Sequence, residues 1–292
     1  MARPKTAYIT GGASGIARSL TSLLLSQGWH VCISDRNITL ARQFADENIA
    51  DDGARTLQCV ECDTASWDSQ VSAFQTAREL LGGRIDFVAP IAGIGEKKWL
   101  PTFEELGKAG PGDAFVKPDL SVIDIDLTGV LYTIALAIQQ FRRQEPVSWS
   151  EGSKEKHRGK IGLVASVCGF YCVPSLPIYT AAKHAVIGLT RSYGVVLKDE
   201  GMTLSAVAPN VVRTSISSGA FYDRMEQQGL LTPMDGLLDA FTEMIRSGES
   251  GKVYECGTRG GWVERKGVEY LDDESKKCCV LLEERARALH HD

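Results

Sequence analysis

"TAYITGGASGIARSLTSLLLSQG", residues 6–28, places a strand, a glycine turn and a helix in one run. "TAYIT" (6–10) is a short apolar strand, and "RSLTSLLLSQG" (18–28) carries apolar residues at helical spacing and stops at Gly28. The glycines between them let the backbone turn sharply and let another group come close. The helix start adds free N–H groups and a partial positive charge, which together suit a phosphate. Gly11 and Gly15 are placed nearest to a pyrophosphate, with Ser14 and Ile16 beside them. A glycine turn alone is a weak signal, because ordinary tight turns use the same residues.

The pattern continues outward. "HVCISD" (30–35), "RTLQCVECD" (55–63) and "IDFVAPIAG" (85–93) read as strands, separated by helical stretches at 38–53, ending near Gly53, and at 67–83. This alternation predicts an α/β fold, a Rossmann-type doubly wound parallel sheet in a three-layer α/β/α arrangement. Residues 95–119 read as a long irregular loop, followed by a helix from about Leu120 to Arg143 and a polar loop at 144–159. Then come a strand at 160–166, a helix at 177–201 and a strand at 203–209. After them stand a long segment at 210–232, a helix near 234–247 and a last strand at 251–257. The tail from about 270 to 292 is charged and helical in composition. With no repeat and no linker, one domain spanning 1–292 is expected.

Hydrophobic residues make up 43% and charged residues 24%, an ordinary globular balance. The net charge of −5 argues against a nucleic-acid partner. The chain holds no run of about 18 apolar residues, so no membrane span is expected. It also has no apolar leader ahead of the first strand, so a cytoplasmic protein is expected. The eight cysteines are expected to be thiols. "CVEC" (59–62) lacks a second half-site, so no metal is expected, and Cys59 reads as a small buried strand side chain.

Asp35 ends the second strand, 20 residues after Gly15. A carboxylate there can accept hydrogen bonds from both ribose hydroxyls of an adenosine, and would repel a 2′-phosphate. That favours NAD over NADP, with the neighbouring Arg36 as the counterargument, since a guanidinium can bind a phosphate. Asp63 ends the third strand and could reach an adenine or simply cap the next helix.

"SLPIYTAAKHAVIGL" (175–189) sets Tyr179 and Lys183 one turn apart on one helix face, and Ser166 stands 13 residues before Tyr179 at a strand end. With the glycine turn and Asp35, these residues make the chain resemble the short-chain dehydrogenase/reductase family over about residues 5–257. The family's glycine motif matches Thr10, Gly11 and Gly15. Its active-site serine matches Ser166, followed by Gly169, and its Tyr-x-x-x-Lys matches Tyr179 and Lys183. Its cofactor positions match Ala92, Gly93, Pro209, Val212 and Thr214. The resemblance implies hydride transfer with Tyr179 as acid/base, its pKa brought down by Lys183 and the nicotinamide cation. It also implies that Lys183 anchors the nicotinamide ribose and that Ser166 orients the substrate oxygen.

The chain departs from the family pattern at Ala17, at "PIAG" (90–93), at Asn210 and above all at Asp126, which stands where the family has an active-site asparagine. An ionised Asp126 near Lys183 would favour the ammonium form and alter the proton relay. The site region looks most like NAD-dependent hydroxyprostaglandin-type dehydrogenases, which implies a secondary alcohol on a lipophilic small molecule such as a steroid, terpenoid, polyketide or fatty-acid-like compound. Cys168, Cys172 and Val173 in "CGFYCVPSLP" (168–177), with Phe221 in a substrate loop at 210–232, are the candidate substrate contacts. Trp99 and Phe103 could cover the pocket. Family likeness further implies a homodimer or homotetramer pairing through the long helices. Two other readings remain open at this stage: a non-redox isomerase or cyclase, and a catalytically silent dinucleotide sensor.

Overall fold

The computed structural model describes residues 3–48, 56–107, 115–149, 155–287 and 289–290. Its strands in chain order are β1 (Thr6–Thr10), β2 (His30–Asp35), β3 (Leu57–Glu61), β4 (Phe87–Pro90), β5 (Val147–Ser148), β6 (Lys156–His157), β7 (Gly159–Val164), β8 (Met202–Pro209), β9 (Val253–Cys256) and β10 (Trp262–Glu264). The main sheet runs β10-β9-β8-β7-β4-β1-β2-β3, and β5 pairs with β6 as a separate ribbon. All pairings in the main sheet are parallel except β9 with β10. Parallel strands covered on both faces need apolar residues throughout rather than alternation. β1 and β8 show this, being buried at every position.

Three helices cover each face. Trp67–Leu80, Ser121–Arg142 and Pro177–Asp199 bury Phe74, Ile134 and Val186 on one side. Gly15–Ser26, Ile38–Asp46 and Met234–Arg246 bury Leu20, Phe44 and Phe241 on the other. The expected three-layer α/β fold is therefore the observed one. Side-chain oxygens of Asn37, Ser66 and Ser218 accept the backbone N–H three residues on and start the helices at 38, 67 and 219. The Ser121–Arg142 helix is long and apolar enough to cross a membrane, but Val130, Ile134, Ala137 and Phe141 pack it into the core.

The strand order reverses between β2 and β4 on either side of β1, which opens a crevice at the carboxyl ends of the strands. Several local expectations need correction. The segment 210–232 contains a helix, Gly219–Gln227. β10 adds an antiparallel edge strand, and 144–159 holds the β5–β6 ribbon. The second helix closes at Asp46, and its expected continuation towards Gly53 lies mostly outside the described residues. Cys59 is only half-buried on edge strand β3, whereas Cys62 is buried. No cysteine forms a disulfide among the described residues.

Candidate active site

The crevice holds a cavity of about 970 Å³. One end is built by the β1–helix turn. Gly11 (φ 70°) and Gly15 (φ 55°) take left-handed backbone that favours glycine. A Cβ on Gly11 would lie 2.8 Å from Ala92 Cα, and one on Gly12 would lie 2.3 Å from Ile33 Cβ. Gly12 therefore lets the turn lie against β2. Ser14 makes no side-chain cap, so the first N–H groups of the Gly15–Ser26 helix remain for a ligand. Ser14, Ile16, Ala92, Gly93, Pro209, Val212 and Thr214 all line the cavity.

Asp35 and Arg36 both line this end. Asp35 Oδ2 accepts from Ala13 N at 3.0 Å and Oδ1 from Asn37 N at 2.8 Å. Its carboxylate is thus fixed, with lone pairs left over for a sugar hydroxyl. Asp63 lies two residues past β3 rather than at its end; it lines the cavity, and its Oδ1 accepts from Ala65 N at 3.0 Å. A glycine cradle, an uncapped helix start and an anchored acidic residue at a switch point fit a dinucleotide.

At the centre the cavity wall brings together Ser166, Tyr179, Lys183 and Asp126. Ser166 ends the run after β7 and accepts from Cys168 N at 3.2 Å. A Cβ on Gly169 would lie 2.7 Å from the Lys183 carbonyl, so only glycine lets the Ser166 turn rest on the Tyr–Lys helix. Asp126 sits in a π-helical turn, Asp124–Gly129, and its side chain is buried. Its Oδ2 stands 3.1 Å from Lys183 Nζ, and its Oδ1 accepts from Ile94 N at 2.8 Å. Lys183 Nζ also donates to the Val164 carbonyl at 3.4 Å and lies 5.2 Å from the Tyr179 ring centre.

Burial works against the Lys183 ammonium, but Asp126 and Tyr179 outweigh it and raise the lysine's pKa. Tyr179 is raised above the usual tyrosine value, mainly by burial. Lys183 and a hydrogen bond with Ser166 pull it down, and Asp126 pushes it up. The family likeness implied a lowered tyrosine; in the chain by itself desolvation wins and the phenol is favoured.

The other end of the cavity is lined by Ile94, Cys168, Val173, Leu176, Ile216 and Phe221. Cys172 is the exception among the candidate contacts, since it is exposed and outside the cavity. Phe103 is almost fully exposed, and neither it nor Trp99 reaches the lining, so they do not cover the pocket.

The model of the short chain dehydrogenase family matches residues 5–224. The chain belongs to the short-chain dehydrogenase family. It is 28% identical to an NADP-dependent dehydrogenase of Phoma sp. over 85% of this chain and 68% of that protein. It is 31% identical to 5'-hydroxyaverantin dehydrogenase of Dothistroma septosporum, covering 73% and 68%. The fold also matches a 3-ketoacyl-(acyl-carrier-protein) reductase from Brucella melitensis complexed with NADH, with TM-score 0.68, 21% identity and coverage of 87% and 97%.

Within this short-chain dehydrogenase three further side chains make contacts that the sequence alone does not show. Thr10 Oγ1 accepts from Ile91 N and Ala92 N, each at 3.1 Å, and so ties β1 to the loop after β4. Tyr222 is buried, and its hydroxyl lies 3.1 Å from Thr214 Oγ1 and accepts from Ser217 N at 3.2 Å. Glu96 lines the cavity and reaches the start of the Tyr179 helix. Thr10 was legible through the glycine motif and Tyr222 through the 210–232 segment, but Glu96 carried no signal, and the contacts of all three depend on how the loops fold.

Proposed function

We propose that this oxidoreductase interconverts a secondary alcohol and a ketone on a neutral, lipophilic small molecule, with NAD(H) as cofactor. The observation that carries the proposal is the meeting of Ser166, Tyr179 and Lys183 in one cavity with the anchored Asp35. When bound, the nicotinamide accepts or supplies the hydride. Gly11, Gly15 and the helix start hold the pyrophosphate, Asp35 the adenosine ribose, and Lys183 the nicotinamide ribose. Tyr179 exchanges a proton with the substrate oxygen, and Ser166 donates a hydrogen bond to that oxygen and orients it. The raised Tyr179 value keeps the phenol protonated, the form that reduces a ketone. An apolar far end with Val173, Leu176 and Phe221 supports a lipophilic substrate.

Arg36 on the cavity wall favours a second reading, NADPH in place of NADH, and the Phoma relative is NADP-dependent. Titration with NADH and NADPH, followed by nicotinamide fluorescence, separates the two. Tighter NADH supports the Asp35 assignment, tighter NADPH replaces it with Arg36, and binding of neither removes the dinucleotide reading.

A further inference from the structure

The helix that carries Tyr179 begins without a cap of its own. Leu176 occupies the cap position, where Ser, Thr, Asp or Asn would normally accept an N–H from the first turn. Pro177 has no N–H, and Thr180 N donates to the Leu176 carbonyl at 2.9 Å. That leaves the N–H groups of Ile178 and of Tyr179 itself. Both are met by one side chain from another part of the chain. Glu96 Oε2 accepts from Tyr179 N at 2.7 Å, and Oε1 lies 3.4 Å from Ile178 N.

Glu96 sits on the loop that follows β4, and that loop is held along its length. Thr10 takes the N–H groups of Ile91 and Ala92, and Asp126 takes that of Ile94. Asp126 also pairs with Lys183. The same short loop therefore touches the lysine through Asp126 and the tyrosine backbone through Glu96. A carboxylate at a helix N-terminus is also favoured by the helix dipole, which strengthens the link. Glu96 meets Tyr179 at its backbone N–H and not at its hydroxyl, so it acts on the phenol by placing the helix.

We propose that Glu96 is a positioning residue for Tyr179: it caps the Tyr179 helix from the β4 loop and sets the phenol against Ser166 and Lys183. The proposal rests on the reading of Tyr179 as the acid/base. Glu96→Ala removes the cap, whereas Glu96→Gln keeps an amide oxygen that can accept from Tyr179 N. The experiment measures kcat and NADH affinity of both variants, together with hydrogen exchange of the peptide containing residues 178–180. Glu96→Ala is expected to lose about tenfold or more in kcat, to bind NADH as the wild type does, and to exchange faster at residues 178–180. Glu96→Gln is expected to recover most of the rate and the protection. Unchanged kcat in Glu96→Ala overturns the proposal. So does a parallel loss of NADH affinity that Gln fails to rescue, which would mark a general structural role. A wild type that turns over no alcohol or ketone defeats the functional reading instead; the exchange data then decide the cap alone, and wild-type exchange in Glu96→Ala overturns it.

Discussion

Asp126 Oδ2 lies 3.1 Å from Lys183 Nζ, and both side chains are buried. An asparagine at this position could not form an ion pair. The carboxylate stabilises the ammonium and, through its charge, holds the Tyr179 proton more tightly. The pair therefore biases the site towards a protonated tyrosine.

Asp126→Asn tests that bias. Removing the charge lowers both the Tyr179 and the Lys183 values relative to the wild type. Alcohol oxidation needs the phenolate, so its rate should rise at lower pH than in the wild type. Ketone reduction needs the phenol, so its decline should also begin at lower pH. The pH profiles of kcat in both directions are the measurement; superimposable profiles would show that Asp126 has no part in the relay.

Asp126→Ala should be worse for stability than for chemistry alone. It leaves Lys183 buried without its counter-charge and Ile94 N without its acceptor. Breaking a buried pair in this way costs about 3–5 kcal/mol. Urea unfolding of the variant against the wild type reads the loss, and equal midpoints would contradict it.

Ser166→Ala should lower kcat by about 100-fold, the usual effect of losing one donor at a reacting oxygen. NADH affinity should hardly move, because the proposed role of Ser166 is at the substrate oxygen and not at the ribose. Steady-state kinetics and a separate cofactor titration give the two numbers.

Gly12→Ala should destabilise the fold by about 1–3 kcal/mol, since the added methyl meets Ile33 at a core contact that cannot open freely. The new Cβ would stand 2.3 Å from Ile33 Cβ. Thermal unfolding with and without NADH checks this, and a wild-type midpoint would contradict the packing argument.

Asp86 predicts an acid limit on stability. Its buried carboxylate bonds Arg3, Arg84 and Thr6 N at the amino ends of the strands. Burial alone would raise it, but the two guanidinium partners outweigh that and hold it below the ordinary 3.8. A folded value below the unfolded one means the contribution is complete above the unfolded value and fades as pH falls through the folded one. Asp86→Asn should be less stable at neutral pH and lose less on acidification. Unfolding midpoints across acid pH give the comparison.

The sheet and its helices were legible because the first hundred residues alternate strand and helix patterns with clear stops at Gly28 and Gly83. The glycine turn, Asp35 and the Ser166–Tyr179–Lys183 group, which line one cavity, were legible for a related reason, as each lies at a strand end or on one helix face. Glu96 was not, because its partner is 83 residues away and only the loop path brings them together. β10 was missed because it is three residues long and follows paired glycines. The helix at 219–227 was hidden in a segment read as a substrate loop, although Ser218 supplied its cap. Cys172 was misplaced because the turn after Gly169 directs it to solvent while Cys168 and Val173 stay on the cavity wall.

The most direct test of the central claim follows nicotinamide absorbance while the wild type and Tyr179→Phe are offered a panel of neutral lipophilic ketones with NADH. The account predicts ketone-dependent loss of NADH in the wild type and near-complete loss of that rate in Tyr179→Phe, with NADH binding retained. Product formed with no change in NADH, or a Tyr179→Phe variant as fast as the wild type, would contradict it.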